Sequence, residues 1–349
     1  MKRIALIILG SMLLVLILAG AGTALYVSNA LKPVEAGDEE VRIQVEAGLG
    51  SGQIANLLER SGLIRDAKVF RYYLIYKKEG GRFQAGEYDM KPGMALDDII
   101  AKLNAGDTVK EELVRVTIPE GLTVPQIADK LAVHPGFDRQ AFLDLMSGAE
   151  LSAVKRIADI PEDARIRYRL EGYLFPETYE LKKELTTKDI VMRLTSELER
   201  KLGDLPPDWP DKLKERGLTF HQLMTVASMI EREVVLEQER PIVASVIYNR
   251  MKIGMKLQID ATVQYALDKT KERLFEKDLL VDSPYNTYKI TALPPGPIAS
   301  PSLSSIRAAL YPADTKYMFY VTKYDGAQEH NFAETYDQHL KNIAESRKR

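Results

Sequence analysis

From Ile4 to Leu31 the chain carries no charged residue, which is longer than the ~20 apolar residues a helix needs to cross a bilayer. In hydrocarbon every backbone N–H and C=O must be satisfied within the segment, so a lone span has to be a helix. Lys2 and Arg3 stand before the run, and the positive-inside bias then keeps the N-terminus in the cytoplasm. The small residues from Ala19 to Ala24 would also suit a signal-peptide cleavage site. The run outlasts the usual apolar core of such a peptide, and an uncleaved anchor is expected. The expectation is a single-pass protein of the cytoplasmic membrane, its bulk outside the cytoplasm where neither ATP nor reduced nicotinamide is at hand.

Beyond the anchor there is room for two or three domains in a chain of 349 residues. A net charge of −2 gives no basic surface for nucleic acid. The chain has no cysteine, which removes disulfides, thiolate metal sites, a cysteine nucleophile and a lipoprotein anchor. The four histidines, His134, His221, His330 and His339, lack the carboxylate spacing of a zinc site. No phosphate-binding loop, G-x-S-x-G elbow or H-E-x-x-H motif occurs. No cofactor and no metal are expected; a Ser-His-Asp arrangement stays open, although no serine stands on a recognisable elbow, and carboxylate acid–base chemistry is the expectation.

Lys32 to Glu40 is a polar linker containing Pro and Gly. Beyond it a pattern repeats. Arg42 to Gly62 aligns at a constant offset with Arg115 to Gly136, Gly48 meeting Gly121 and Gln53-Ile54-Ala55 meeting Gln126-Ile127-Ala128. A third copy, Gly86 to Gly106, places Gly93 at the same turn. Each copy has the alternation of a strand, a glycine turn that calls for positive φ, and a short amphipathic helix. Further helices are expected around Lys68 to Lys77 and Arg139 to Met146. The copy at Val116 to Leu131 resembles a LysM module, a fold that binds N-acetylglucosamine-containing glycans; glycan binding and a spacing or docking role both stay open. The expected layout is an anchor over 1–31, a linker over 32–40, a LysM-like β-α repeat region over 41–150 and a catalytic domain over 151–349.

The aromatic-rich stretch Ile166 to Leu181 is expected to be an extended loop or strand, its rings either core or platforms for sugars. A helix over Thr187 to Leu202 comes next, broken by Leu202 to Pro210. The run from Leu223 to Ile230 is mostly apolar and suggests a buried helix. It ends on Glu231, whose helical neighbours are Met224, Ala227, Ser228 and Val235, while Glu233 points to another face. The ordinary reading of Glu231 is a cap or an ion pair with Arg232 or Arg250. The functional one is a carboxyl kept protonated by apolar neighbours and able to give that proton to a leaving oxygen. Pro241 opens a second helix and Gly254 closes it. Gln258 and Asp260 stand two apart, and Tyr285 to Ser302, rich in proline, should be a fixed loop. The chain should end in a strand, Lys316 to Thr322, and a helical region carrying His330, Phe332, Thr335 and His339.

The segments ASMIERE (Ala227 to Glu233), VASVIYNR (Val243 to Arg250), LQIDATVQYAL (Leu257 to Leu267), YNTYKITALPPGPIASP (Tyr285 to Pro301) and EHNF (Glu329 to Phe332) strongly resemble the YceG-like family, as does LEGYLFPETY (Leu170 to Tyr179). The resemblance implies an α+β protein, its mixed α/β catalytic domain built around the buried helix of Glu231. It implies an enzyme that cuts nascent peptidoglycan strands internally, between N-acetylmuramic acid and N-acetylglucosamine, leaving 1,6-anhydromuramic ends. Glu231 would act as general acid and then base. Gln258, Asp260, Tyr285, Asn286, Thr287 and Tyr288 match other motif positions and would line the glycan groove. The implied partners are glycan strands, the membrane, and cell-wall synthases such as penicillin-binding proteins. The alternative is a non-catalytic, membrane-anchored glycan-binding scaffold for those synthases.

Overall fold

The computed structural model describes residues 2–109, 112–147, 156–267, 271, 273–323 and 325–346. The chain divides into two compact units, Met1–Glu111 and Glu112–Arg349.

The first unit begins with the uninterrupted helix α1 (Lys2–Ala30), then β1 (Val41–Val45), α2 (Ser51–Arg60), α3 (Ala67–Lys77), β2 (Gly86–Met90) and α4 (Leu96–Ala105). Strands β1 and β2 pair antiparallel, Ile43 opposite Tyr88. The period-two pattern of both strands turns Ile43, Val45, Tyr88 and Met90 inward to meet Ile54, Leu58, Phe70, Leu74, Ile99 and Leu103 from the helices. Helix α3 starts where the Asp66 carboxylate accepts the Val69 N–H at 2.8 Å.

The second unit opens in the same order: β3 (Leu113–Thr117), α5 (Val124–Leu131), α6 (Arg139–Ser147), β4 (Thr178–Lys182) and α7 (Thr187–Leu202). Strands β3 and β4 are antiparallel, Val116 opposite Tyr179. The repeat is therefore two copies of β-α-α-β-α, not three of strand-turn-helix. The supposed third copy is the second half of the first, and its counterpart is β4 with α7. The aligned glycines Gly48, Gly93 and Gly121 sit at φ +88, +96 and +74, the positive values their turns require.

Residue 150 does not divide two compact bodies. Val116, Ile127 and Leu131 of the second copy share one core with Leu223, Met224 and Ile230 from the C-terminal half. In the aromatic-rich stretch Tyr173 and Tyr179 are buried in that core and are not sugar platforms, while Phe175, also largely buried, lines an open cavity.

Helix α8 (Trp209–Glu215) leads to α9 (Phe220–Glu233), α10 (Arg240–Lys252), α11 (Asp260–Ala266) and α12 (Leu303–Leu310). Thr219 and Gln222 cap α9 reciprocally. Every α9 residue from Phe220 to Ile230 except Gln222 is buried, because α10, α11 and α12 all pack on it. The hairpin β5 (Phe319–Thr322) and β6 (His330–Ala333) pairs His330 with Thr322, and α13 (Tyr336–Ser346) comes last. His330 and Phe332 thus lie on a strand, not in a terminal helix.

Candidate active site

The last turn of α9 carries two carboxylates, and at about 100° per residue they point some 200° apart. Their surroundings are unlike in kind. Glu231 Oε2 accepts the Ser302 N–H at 2.8 Å, the Ser302 hydroxyl at 2.5 Å and Arg240 Nη1 at 3.0 Å, while Oε1 accepts Arg240 Nη2 at 3.3 Å. Arg240 Nη1 also reaches the hydroxyls of Ser302, Ser304 and Ser305 at 2.5 to 2.9 Å. The side chains of this pair are only 7% and 11% exposed. The apolar cradle expected around Glu231 is therefore absent: a guanidinium and a hydroxyl meet the carboxylate. Its partner is Arg240, neither Arg232 nor Arg250. Arg232 instead donates to the Gly121 carbonyl at 2.9 Å, and Val235 is exposed. Ser302 caps α12 as well, its hydroxyl accepting the Ser305 N–H, so the node ties the ends of α9, α10 and α12 together. An open cavity of about 620 Å³ reaches it at Ser302 and Ser304, and neither glutamate lines that cavity.

Glu233 retains some exposure. Its Oε2 accepts the Tyr320 hydroxyl at 3.0 Å. Burial raises the pKa of its carboxyl and outweighs the opposing Tyr320 hydroxyl; the charge of Asp260 adds to the rise, against weaker pulls from the Ala261 N–H and His330. Asp260, the exposed first residue of α11, accepts the Tyr288 hydroxyl at 2.5 Å. Burial, then that bond, holds the Tyr288 phenol well above its ordinary value. His330 Nδ1 meets Glu239 Oε2 at 2.7 Å and its backbone N–H donates to Glu239 Oε1 at 3.0 Å, with the His330 ring edge-on to Tyr320. Arg250 is buried, donating to the carbonyls of Met318 and Leu257, and burial lowers its pKa. Among the described residues no group of three His, Asp or Glu side chains could hold a metal ion.

Of the six groove residues expected from sequence, Asp260 and Tyr288 lie beside Glu233, and Gln258 is exposed just before α11. The other three are interior. Asn286 donates to the carbonyls of Leu279 and Val281 at 2.9 and 2.8 Å and accepts the Tyr288 N–H at 3.0 Å. The Thr287 hydroxyl is within 2.9 Å of both the Ile259 N–H and the Thr262 hydroxyl. Tyr285 packs on Tyr265 and takes the Arg167 N–H on its hydroxyl at 3.2 Å. These three shape the wall and do not line a groove. Sequence reasoning passed over Glu233, Tyr320, Glu239 and Arg250 as site residues and weighed His330 only as a metal ligand. The signal available was ASMIERE itself, which holds both glutamates, and EHNF, which holds His330.

Residues 43–345 match the model of the YceG-like family. Over 330 residues the chain is 37% identical to an endolytic murein transglycosylase of Bacillus subtilis (strain 168), covering 92% of this chain and 89% of that one. It is 30% identical over 341 residues to an endolytic murein transglycosylase of Streptococcus pneumoniae serotype 2, of whose length it spans 61%. The 2.6 Å crystal structure of a yceG-like protein of Listeria monocytogenes superposes with a TM-score of 0.60 at 33% identity, over 87% of this chain and 99% of that one.

Proposed function

The chain belongs to the YceG-like family, and we infer from that membership that it is an endolytic murein transglycosylase, with Glu233 in place of Glu231 as its proton donor. One observation carries the choice of residue. Both glutamates keep some exposure, but burial, with the charge of Asp260 adding to it, pushes the Glu233 carboxyl towards its protonated form, whereas the oxygens of Glu231 are taken by Arg240 and Ser302. A general acid needs a proton to give and a route to the substrate.

In this reading Glu233 protonates the glycosidic oxygen between N-acetylmuramic acid and N-acetylglucosamine as the muramic C1–O bond breaks. The Glu233 carboxylate then takes the proton of the muramic C6 hydroxyl as its oxygen closes on C1, giving the 1,6-anhydro ring. Glu233 ends protonated as it began, and no water is consumed. Tyr320 holds the carboxyl in place through its hydroxyl. Asp260 and Tyr288 offer a charged acceptor and a phenol to the sugars, and the Asp260 charge favours the oxocarbenium character of the transition state. The substrate lies outside the cytoplasm, which suits α1, whose segment Leu9–Ala30 is long and apolar enough to cross a membrane, as a single-pass anchor with its N-terminus inside. The synthases that extend the strands, penicillin-binding proteins among them, would be met on that side.

A second carboxylate beside Glu233 also suits a hydrolase, with Asp260 activating water or attacking C1. Mass spectrometry of products from purified peptidoglycan separates the cases. The wild type should release anhydromuramic ends, and Glu233→Gln should lower the rate on the order of a hundredfold or more. Glu231→Gln should keep the same products at reduced stability. Anhydro ends from Glu233→Gln at wild-type rate would refute the assignment. Reducing muramic ends from the wild type mean hydrolysis, and no products at all mean a scaffold.

A further inference from the structure

We propose that the exposed face of α3 rests on the outer surface of the bilayer that α1 crosses, giving the first unit a second, lipid-headgroup contact; this rests on α1 being the anchor proposed above. Helix α3 buries Ala67, Val69, Phe70 and Leu74 in the core. Its other side exposes Tyr72, Ile75 and Tyr76 at 74, 64 and 81%. Spacings of three and four residues make these one stripe. Among the described residues outside α1, no other helix exposes three large apolar side chains. Such a stripe on a soluble surface marks something that covers it.

The connection to α1 identifies the cover. The Tyr26 hydroxyl donates to the Asp66 carboxylate, the N-cap of α3, and Ala30 is buried. At 1.5 Å per residue, Tyr26 lies about 6 Å back along the span from Ala30. The start of α3 is therefore level with the last turn of the span, at the depth of the headgroups, which fill roughly 5–7 Å beyond each face of the hydrocarbon. The linker does not hold the unit clear of the membrane.

The chemistry fits that depth. Tyrosine is enriched where one end of a side chain is apolar and the other wet. Lys68, Arg71 and Lys78 stand exposed along the same helix and just past it, and none of them is ion-paired among the described residues. Unpaired cations beside an aromatic stripe complement anionic headgroups.

The absence of cysteine allows single spin labels on the full chain. Tyr76→Cys, Asp98→Cys on α4 and Ile17→Cys in α1 would each be reconstituted into phosphatidylcholine vesicles with and without phosphatidylglycerol. The readout is nitroxide accessibility to oxygen against a water-soluble nickel chelate. At residue 76 oxygen should be favoured, at residue 98 nickel, with residue 17 deep in lipid. Omitting the anionic lipid, or adding Lys68→Gln, Arg71→Gln and Lys78→Gln, should shift residue 76 towards nickel. Residue 76 as nickel-accessible as residue 98, with residue 17 still deep, overturns the contact and leaves the anchor standing. Residue 17 open to nickel refutes the anchor and the contact with it. Protection at residue 76 with spin–spin broadening that unlabelled protein dilutes away would make the cover a second copy, which also overturns the proposal.

Discussion

Glu231 and Glu233 differ in what the neighbouring elements bring to them, and each difference has a measurable sign. The Tyr320 hydroxyl donates to Glu233 and so favours its anion, while the charge of Asp260 opposes it. Tyr320→Phe should therefore move the basic limb of the kcat/KM profile to higher pH, because the acid keeps its proton longer. Asp260→Asn should move that limb to lower pH, in addition to any loss of rate. Two shifts of the same sign would contradict this account of the site. At Glu231, replacement by Gln leaves Arg240 buried with its charge uncompensated, a loss on the order of 3 kcal/mol, read as a lower unfolding midpoint with chemistry retained. The sequence located the turn that carries both side chains, since apolar periodicity and helix geometry are local. It pointed to Glu231, because the partners that set the two apart, Ser302 and Tyr320, arrive from 71 and 87 residues away.

At the scale of elements, the proline-rich loop after Tyr285 is tied to its surroundings by hydrogen bonds, among them those of Asn286. Its amide spans Leu279, Val281 and Tyr288, which holds Tyr288 where its phenol meets Asp260. Asn286→Ala should cost on the order of 2 kcal/mol, since it strips partners from part-buried carbonyls and removes a fully buried amide, and should raise KM as Tyr288 loosens. Urea unfolding and steady-state kinetics test both. Wild-type stability in that variant would mean the loop is held by other contacts. The loop also leans on Gly172, at φ +82, where a Cβ would come 2.6 Å from the Pro297 Cβ. The prolines pointed to a loop of restricted backbone; they gave no side-chain direction. A helix or strand has a period that assigns faces, whereas an irregular loop has none, so Asn286 and Thr287 passed for groove residues. The repeat was half legible for a similar reason. Its first halves align at a constant offset, but the longer stretch between α6 and β4 hides the counterpart of β2 and α4.

At the scale of the whole molecule, Glu171 couples stability to pH. It is 1% exposed, accepts the Val124 N–H at 3.0 Å and the Tyr265 hydroxyl at 3.1 Å, and so links the second repeat to α11. Burial pushes its carboxyl from 4.5 up to about 8, outweighing those bonds. The folded state then holds a proton that the unfolded chain releases, so this contribution to stability is complete below about pH 4.5 and is lost as pH rises to about 8. The single tryptophan, Trp209, lies in the second unit and reports its melting. The fluorescence midpoint should fall across that window, and Glu171→Gln should remove that component of the fall. An unchanged pH profile in the variant would place the dependence elsewhere.

By itself the sequence determined what depends on neighbours along the chain: the membrane-length helix, the positive-φ turn glycines, the buried helix α9, and the pair of carboxylates at its C-terminal end. The tertiary structure decided what depends on residues distant in sequence. It set the boundary at residue 111, because the second repeat buries its apolar side chains in the core of the C-terminal half. It enclosed Tyr285, Asn286 and Thr287, and brought Arg240 and Ser302 to Glu231 and Tyr320 to Glu233. Whether a carboxyl is salt-bridged or poised to give up a proton depends on burial and partners, and no local pattern encodes either.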